Sequence, residues 1–216
     1  MYIQNQYAEP RIEVVHSFLR SHPFCSLITT HSDELYATHL PMILALDTRH
    51  KGVLRGHIAR ANPQWKLGQC EAMAIFTGPD AYVTPSLYPS KRKNGRVVPT
   101  WNYIVTHVYG KLRFIDDPNF VRQNVEELTT LMESDSDQPW NVSDAPSDYL
   151  AKMLRAIVGV ELEILEIQAK SKLSQNRSVA DFNGVMTGLA QSRSPSARQV
   201  AEAMKVTGRR KAQDRK

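Results

Sequence analysis

The chain has 216 residues, 42% of them hydrophobic and 23% charged, with two cysteines and a formal net charge of +5. That length suits one large domain, or one domain with an appendage, and the composition excludes wholesale disorder and a disulfide-stapled miniprotein. No run reaches the ~18 consecutive apolar residues of a membrane span, and the N-terminus lacks the basic start and apolar core of a signal peptide, so the expectation is a soluble cytoplasmic protein with no membrane partner.

The charge is unevenly placed. Residues 191–216 carry Arg193, Arg198, Lys205, Arg209, Arg210, Lys211, Arg215 and Lys216 against Glu202 and Asp214, a balance of +6 that leaves residues 1–190 at −1. The expected organisation is therefore a domain over 1–190 followed by a basic C-terminal tail, 191–216, helical or disordered. Such a tail suits contact with phosphates, whereas the near-neutral body says nothing about nucleic acid.

In chain order, Ile12, Val15, Phe18 and Leu19 have helical spacing within 9–21, and His22–Pro23 ends the pattern. Residues 24–30, 35–41 and 52–58 are rich in β-formers, are separated by turn clusters at 32–34 and 47–52, and read as consecutive antiparallel strands. Asn62 followed by Pro63 is a helix start, and 72–77 is a further strand. The window 79–99 holds four prolines and reads as a long stiffened loop. Beyond it come a long strand at 101–115, a helix from Asn119 to about Met132, a second helix at 147–157, a strand at 158–167 and a short helix near 180–190. Many short strands with a few helices predict a mainly β protein built on a closed or nearly closed antiparallel barrel. A Rossmann fold is excluded by the lack of strand–helix alternation and of glycine-rich phosphate loops.

The densest chemical signal is LeuArgGlyHisIleAlaArgAlaAsnProGln, residues 54–64. On a strand Arg55 and His57 share one face, with Leu54 and Ile58 opposite; Arg60 and the amides at the Asn62 helix start follow at once. Convergent cations and unpaired amides are what a phosphate monoester needs, although exposed strand residues and a plain helix cap would leave the same pattern. In residues 88–103, Lys91 and Arg92 add positive charge while Trp101 and Asn102 offer a flat apolar face and an amide, or else a packed tryptophan beside a solvated loop. Residues 170–177, LysSerLysLeuSerGlnAsnArg, are either solvated or ligand-facing. The seven histidines make no metal spacing, and there is no nucleophile elbow.

Five motifs in order, LeuArgGlyHisIleAlaArgAlaAsnProGlnTrp, TyrProSerLysArg, ValValProThrTrpAsnTyr, AlaIleValGlyValGluLeu and LysLeuSerGlnAsnArg, resemble the PaiB family of FMN-binding negative transcriptional regulators over residues 1 to about 190. The resemblance implies an FMN-binding split barrel related to pyridoxamine phosphate oxidase, with flavin sites formed across a homodimer interface. It implies that Arg55, His57, Arg60 and Asn62 surround the FMN phosphate and that Lys91, Trp101 and Asn102 lie near the ribityl chain or ring. Lys172, Gln175 and Asn176 approach from the last segment, and Thr38 and Leu40 run alongside the flavin through backbone groups. DNA contact through the tail is not part of the resemblance. A regulator of repressor type is the leading expectation. The alternatives are a flavin-dependent oxidoreductase, with His39 or His107 as proton donor, and a haem-binding barrel.

Overall fold

A computed structural model describes residues 1–32, 34–46 and 51–213. The turn clusters expected at 32–34 and 47–52 therefore fall partly outside the described residues. The elements are α1 (Ile12–Ser21), β1 (Phe24–His31), β2 (Glu34–Pro41), β3 (Ile43–Ala45), β4 (Val53–Ala59), β5 (Cys70–Val83), α2 (Lys91–Asn94), β6 (Thr100–Ile115), α3 (Pro118–Glu133), α4 (Ser147–Arg155), β7 (Ile157–Lys172), α5 (Val179–Ala190) and α6 (Pro195–Gln213). No helix among the described residues is long and apolar enough to cross a membrane.

The strands form one sheet in the order β2-β1-β5-β6-β7-β4-β3. β2 and β3 stand at opposite edges of this order, yet only Met42 separates Pro41 from Ile43. Since consecutive Cα atoms are 3.8 Å apart, the two edges must meet, and the sheet curls into a barrel. The mainly β split barrel expected from the sequence is thus the fold observed.

The chain forms two compact units, Met1–Val15 with Thr77–Thr106 and Gln168–Lys216, and His16–Phe76 with His107–Ile167. We call them unit 1 and unit 2. β5, β6 and β7 each contribute to both.

Unit 2 holds β1 to β4 and the neighbouring parts of the three long strands. Alternating residues face its core: Cys25 and Leu27 on β1, Leu54 and Ile58 on β4, Ala74 and Phe76 on β5, Val108 and Leu112 on β6, and Val158, Val160 and Leu162 on β7, all buried. β1 and β2 pair along their whole length, from Phe24 opposite Pro41 to His31 opposite Glu34. β4 does not pair with β2 as the order along the chain suggested; it lies between β3 and β7. The three-residue β3 is too short to leave a periodic signal. Gly56 is required where β4 passes the end of β2, since a Cβ there would come 2.7 Å from the Pro41 carbonyl oxygen.

Unit 1 is organised around Ala81, Val83, Tyr88, Leu173, Phe182, Val185, Leu189, Val200, Ala201 and Met204. The expected loop at 79–99 is shorter than predicted, because β5 continues through Pro79 to Val83. Burial alternates on even positions up to Phe76 and on odd positions from Ala81, so the alternation slips by one residue, and Pro79 sits in that slip, the kind of place where a strand tolerates proline. The basic tail forms α6, with Ala197, Val200, Ala201 and Met204 buried.

Candidate functional site

In unit 2 the expected phosphate-binding residues stand at β4 and just beyond it. Arg55 and His57 share a face of β4, as the alternation required, but each is drawn to a different partner. Arg55 Nε donates to Glu161 Oε2 at 2.8 Å, and Arg113 Nε donates to Glu161 Oε1 at 2.9 Å. Two guanidiniums therefore share one carboxylate, which leaves a positive charge in excess. Burial alone would push the Glu161 carboxyl up, but the hydrogen bonds from Arg55 and Arg113 outweigh it and hold the group below the usual glutamate range. His57 Nδ1 lies 3.0 Å from Asn124 Oδ1 on α3, and Asn124 Nδ2 is buried without a partner.

Arg60 is engaged otherwise. Its terminal nitrogens donate to both oxygens of Asp116, at 2.9 and 2.6 Å, and its Nε donates to the Arg155 carbonyl at 2.8 Å. Hydrogen bonding to Arg60 holds the Asp116 carboxyl below its ordinary range. The Asp116 side chain is 56% exposed, and an ion pair so open to water exchanges partners at little cost.

Asn62 and Thr38 meet directly: Asn62 Nδ2 donates to Thr38 Oγ1 at 2.8 Å, while Asn62 Oδ1 accepts from the Gln64 amide at 2.9 Å and from the Tyr36 hydroxyl at 3.2 Å. The helix start at Asn62 proves to be a five-residue 3-10 turn, Pro63–Leu67. A single short turn has little dipole, and Asn62 caps one of its amides itself, so the anion argument falls on the guanidiniums rather than on the turn. Gln64 is buried, with Nε2 donating to Thr29 Oγ1 at 3.0 Å and Oε1 without a partner. Leu40 lies in the core, so only its backbone is available to a ligand.

In unit 1, Trp101 and Lys172 are brought together, because Lys172 Nζ donates to the Trp101 carbonyl at 2.6 Å and also to Thr100 Oγ1. The Trp101 ring is 53% exposed and meets Tyr82 edge-on at 6.0 Å between centroids. Asn102 faces the opposite way and is fully buried, bonded to Ser174. Gln175 turns back on its own strand, donating to the Ser171 carbonyl and accepting from the Leu173 amide at 2.6 Å. Asn176 and Lys91 are exposed. The loop carrying Lys91 is tied to α5 by Asp181, whose oxygens accept from the Ser90 amide and hydroxyl at 3.0 and 2.8 Å.

The partners missed in the sequence are Glu161, Arg113 and Asp116. A charged residue at the buried end of the AlaIleValGlyValGluLeu run was the available signal for Glu161; nothing local marks Arg113 or Asp116 as its companions. On charge the donor set suits FMN: Arg55 and Arg113 share Glu161 and Arg60 pairs with Asp116, three guanidiniums to two carboxylates, while Glu126 and Glu127 of α3 line the same cleft as Arg55.

The fold is thus a curled antiparallel barrel. Two solved structures share it: the flavocytochrome Anf3 of Azotobacter vinelandii, with a TM-score of 0.60 and 14% identity over 79% of this chain and 72% of that one, and a FAD and heme binding protein of Mycobacterium smegmatis, with a TM-score of 0.56 and 15% identity over 77% and 73%. The family model described as "Putative FMN-binding domain" matches residues 1–166, and the chain belongs to that family, with FMN as its cofactor. Its PaiB character is shown by the Bacillus subtilis "Protease synthase and sporulation protein PAI 2", 34% identical over 209 residues and covering 94% of this chain and 96% of that protein. An uncharacterised protein of Emericella nidulans is 33% identical over 250 residues, covering 98% and 99%.

Proposed function

We propose that the protein is a cytoplasmic, homodimeric, FMN-dependent transcriptional regulator of repressor type, in which cofactor occupancy or redox state alters contact with DNA. FMN, when bound, supplies a centre that accepts one or two electrons. The chain's own part is to hold its phosphate with Arg55, Arg60 and Arg113, to orient that corner through His57, Asn62 and Thr38, and to present positive charge to DNA. The B. subtilis relative is named "Protease synthase and sporulation protein PAI 2", and its mention of sporulation supports a role in control.

The observation that carries the regulatory reading is α6. Val200, Ala201 and Met204 hold one of its faces in the core of unit 1, and residues 209–211 continue the same helix. The basic C-terminal segment thus continues from a packed helix, and its positive charge suits a phosphate backbone. The test is a gel shift of FMN-loaded and FMN-free protein, with the full chain and with residues 208–216 removed. A longer truncation would strip Met204 and Val200 from the core. Binding that prefers the protein's own promoter region and changes with flavin occupancy supports the proposal. Binding that is salt-steep, blind to sequence and wholly lost with residues 208–216 reduces it to nonspecific electrostatics. Sedimentation of both forms as a monomer removes the dimer.

A further inference from the structure

Three cations of unit 1 form no ion pair with a carboxylate among the described residues. Lys170 and Lys172 project from the same face of β7, and both ammonium groups lie over the Tyr103 ring, 5.3 and 5.9 Å from its centroid. Lys170 is only 8% exposed and donates to the Tyr2 carbonyl at 3.1 Å. Five residues beyond Lys172, the Arg177 guanidinium lies 4.8 Å from the centroid of the buried Tyr88 ring. Among the described residues none of the three forms an ion pair with a carboxylate. Asp181, which feels the charge of Arg177, gives both of its oxygens to Ser90.

This contrasts with unit 2, where Arg55, Arg60 and Arg113 each have an acid. Collecting like charges in a partly buried place is unfavourable unless something balances them. The cost is visible at Lys172, whose ammonium is pushed down by burial and then by the charges of Lys170 and Arg177. Donors are also left over: an ammonium has three N–H groups, of which Lys170 uses one and Lys172 two. Beside them stand the exposed Trp101 and Tyr82 rings, a surface for a flat or apolar body.

We infer that Lys170, Lys172 and Arg177 form a binding site for a small phosphate-bearing anion, distinct from the FMN phosphate. Three monovalent cations favour a dianion over a carboxylate, and a phosphate monoester carries about −1.5 to −2 at neutral pH. The site goes beyond the flavin reading: Lys172 is shared with the residues that the family resemblance sets beside the flavin, whereas Lys170 and Arg177 lie outside that set. A bound metabolite phosphate here would make the protein responsive to a small molecule as well as to its flavin.

The experiment is a calorimetric titration of FMN-loaded full-length protein with inorganic phosphate, against acetate at matched ionic strength, for the native chain and for Lys170→Gln and Arg177→Gln. Saturable phosphate binding is expected, weakened about tenfold or more by either substitution, with the flavin absorbance per protein unchanged. Thermal melts give a second readout: phosphate raises the Tm of the native chain and not of the variants. Should Lys170→Gln fail to fold, Arg177→Gln decides. Absence of saturable binding, equal affinity in the variants, or phosphate that expels the flavin overturns the inference. Failure of the flavin reading would appear separately, as protein that holds no FMN yet still titrates with phosphate.

Discussion

Asn102 and Ser174 exchange two hydrogen bonds: Asn102 Nδ2 donates to Ser174 Oγ at 3.0 Å, and the Ser174 hydroxyl donates to Asn102 Oδ1 at 3.1 Å. Ser174 has φ +62°, a left-handed conformation rare outside glycine and asparagine. The amide of Asn102 therefore holds the turn that ends β7. Asn102→Ala leaves the Ser174 hydroxyl buried and unpaired, with an expected loss of about 1–3 kcal/mol. Thermal unfolding should show a Tm lower by a few degrees, with FMN affinity preserved in the folded fraction. A Tm that stays put while FMN affinity falls would instead make Asn102 a flavin ligand.

Arg60 and Asp116 permit a paired test of the phosphate corner. If the flavin phosphate takes the place of Asp116 on the Arg60 guanidinium, then Arg60→Ala weakens FMN binding by about tenfold or more, while Asp116→Asn leaves it unchanged or tighter. Flavin fluorescence titration measures both. Equal weakening by the two substitutions would mean that the pair acts only as a brace.

Glu161 makes stability depend on acid. Its carboxyl is depressed on folding, so its contribution is present above its unfolded value and is lost as pH falls through the lower folded value. Urea unfolding across a pH series should show stability falling from the ordinary glutamate range downward, with a shallower fall in Glu161→Gln. The substitution should cost less at neutral pH than the roughly 3–5 kcal/mol of a fully buried pair, because the Arg113 side chain is 62% exposed. Identical acid slopes in the two proteins would remove Glu161 from the account.

Gly110 on β6 faces β7 so closely that an added Cβ would run into the Glu163 carbonyl oxygen. Gly110→Ala must push the two strands apart, and the expected cost is about 3 kcal/mol or more, at the upper end of overpacking effects. Chemical denaturation reads this directly; a loss under about 0.5 kcal/mol would show that the ladder yields freely at this point.

The two thiols should be poor nucleophiles. Burial pushes Cys25 up to about 12 and Cys70 up as well. A thiol-specific colorimetric reagent at mildly alkaline pH should modify Cys25 in the native protein only on the timescale of unfolding, with Cys70 slow and both fast in denaturant. Rapid native labelling of Cys25 would contradict its burial.

Much of this molecule was legible before any coordinates. Residues 24–30, 52–58 and 101–115 were marked as strands by their β-forming side chains and flanking turn or proline signals, and AspAspPro at 116–118 marked the start of α3 because capping chemistry is local. Pro79 was misread because its tolerance depends on where the ladder slips, and β3 went unseen because its three residues carry no period.

What the residues alone determined was the class of fold and the co-location of Arg55 and His57 on one face, since period and composition act over a few neighbouring positions; the flavin family came from the resemblance of five ordered motifs. Only the tertiary structure decided the partners: Glu161 between Arg55 and Arg113, Asp116 on Arg60, Asn102 on Ser174, and Lys170, Lys172 and Arg177 with no carboxylate ion pair among the described residues. An ion pair depends on which charges end up a few ångströms apart, and residues separated by 56 or 106 positions are brought to that distance only by the tertiary fold.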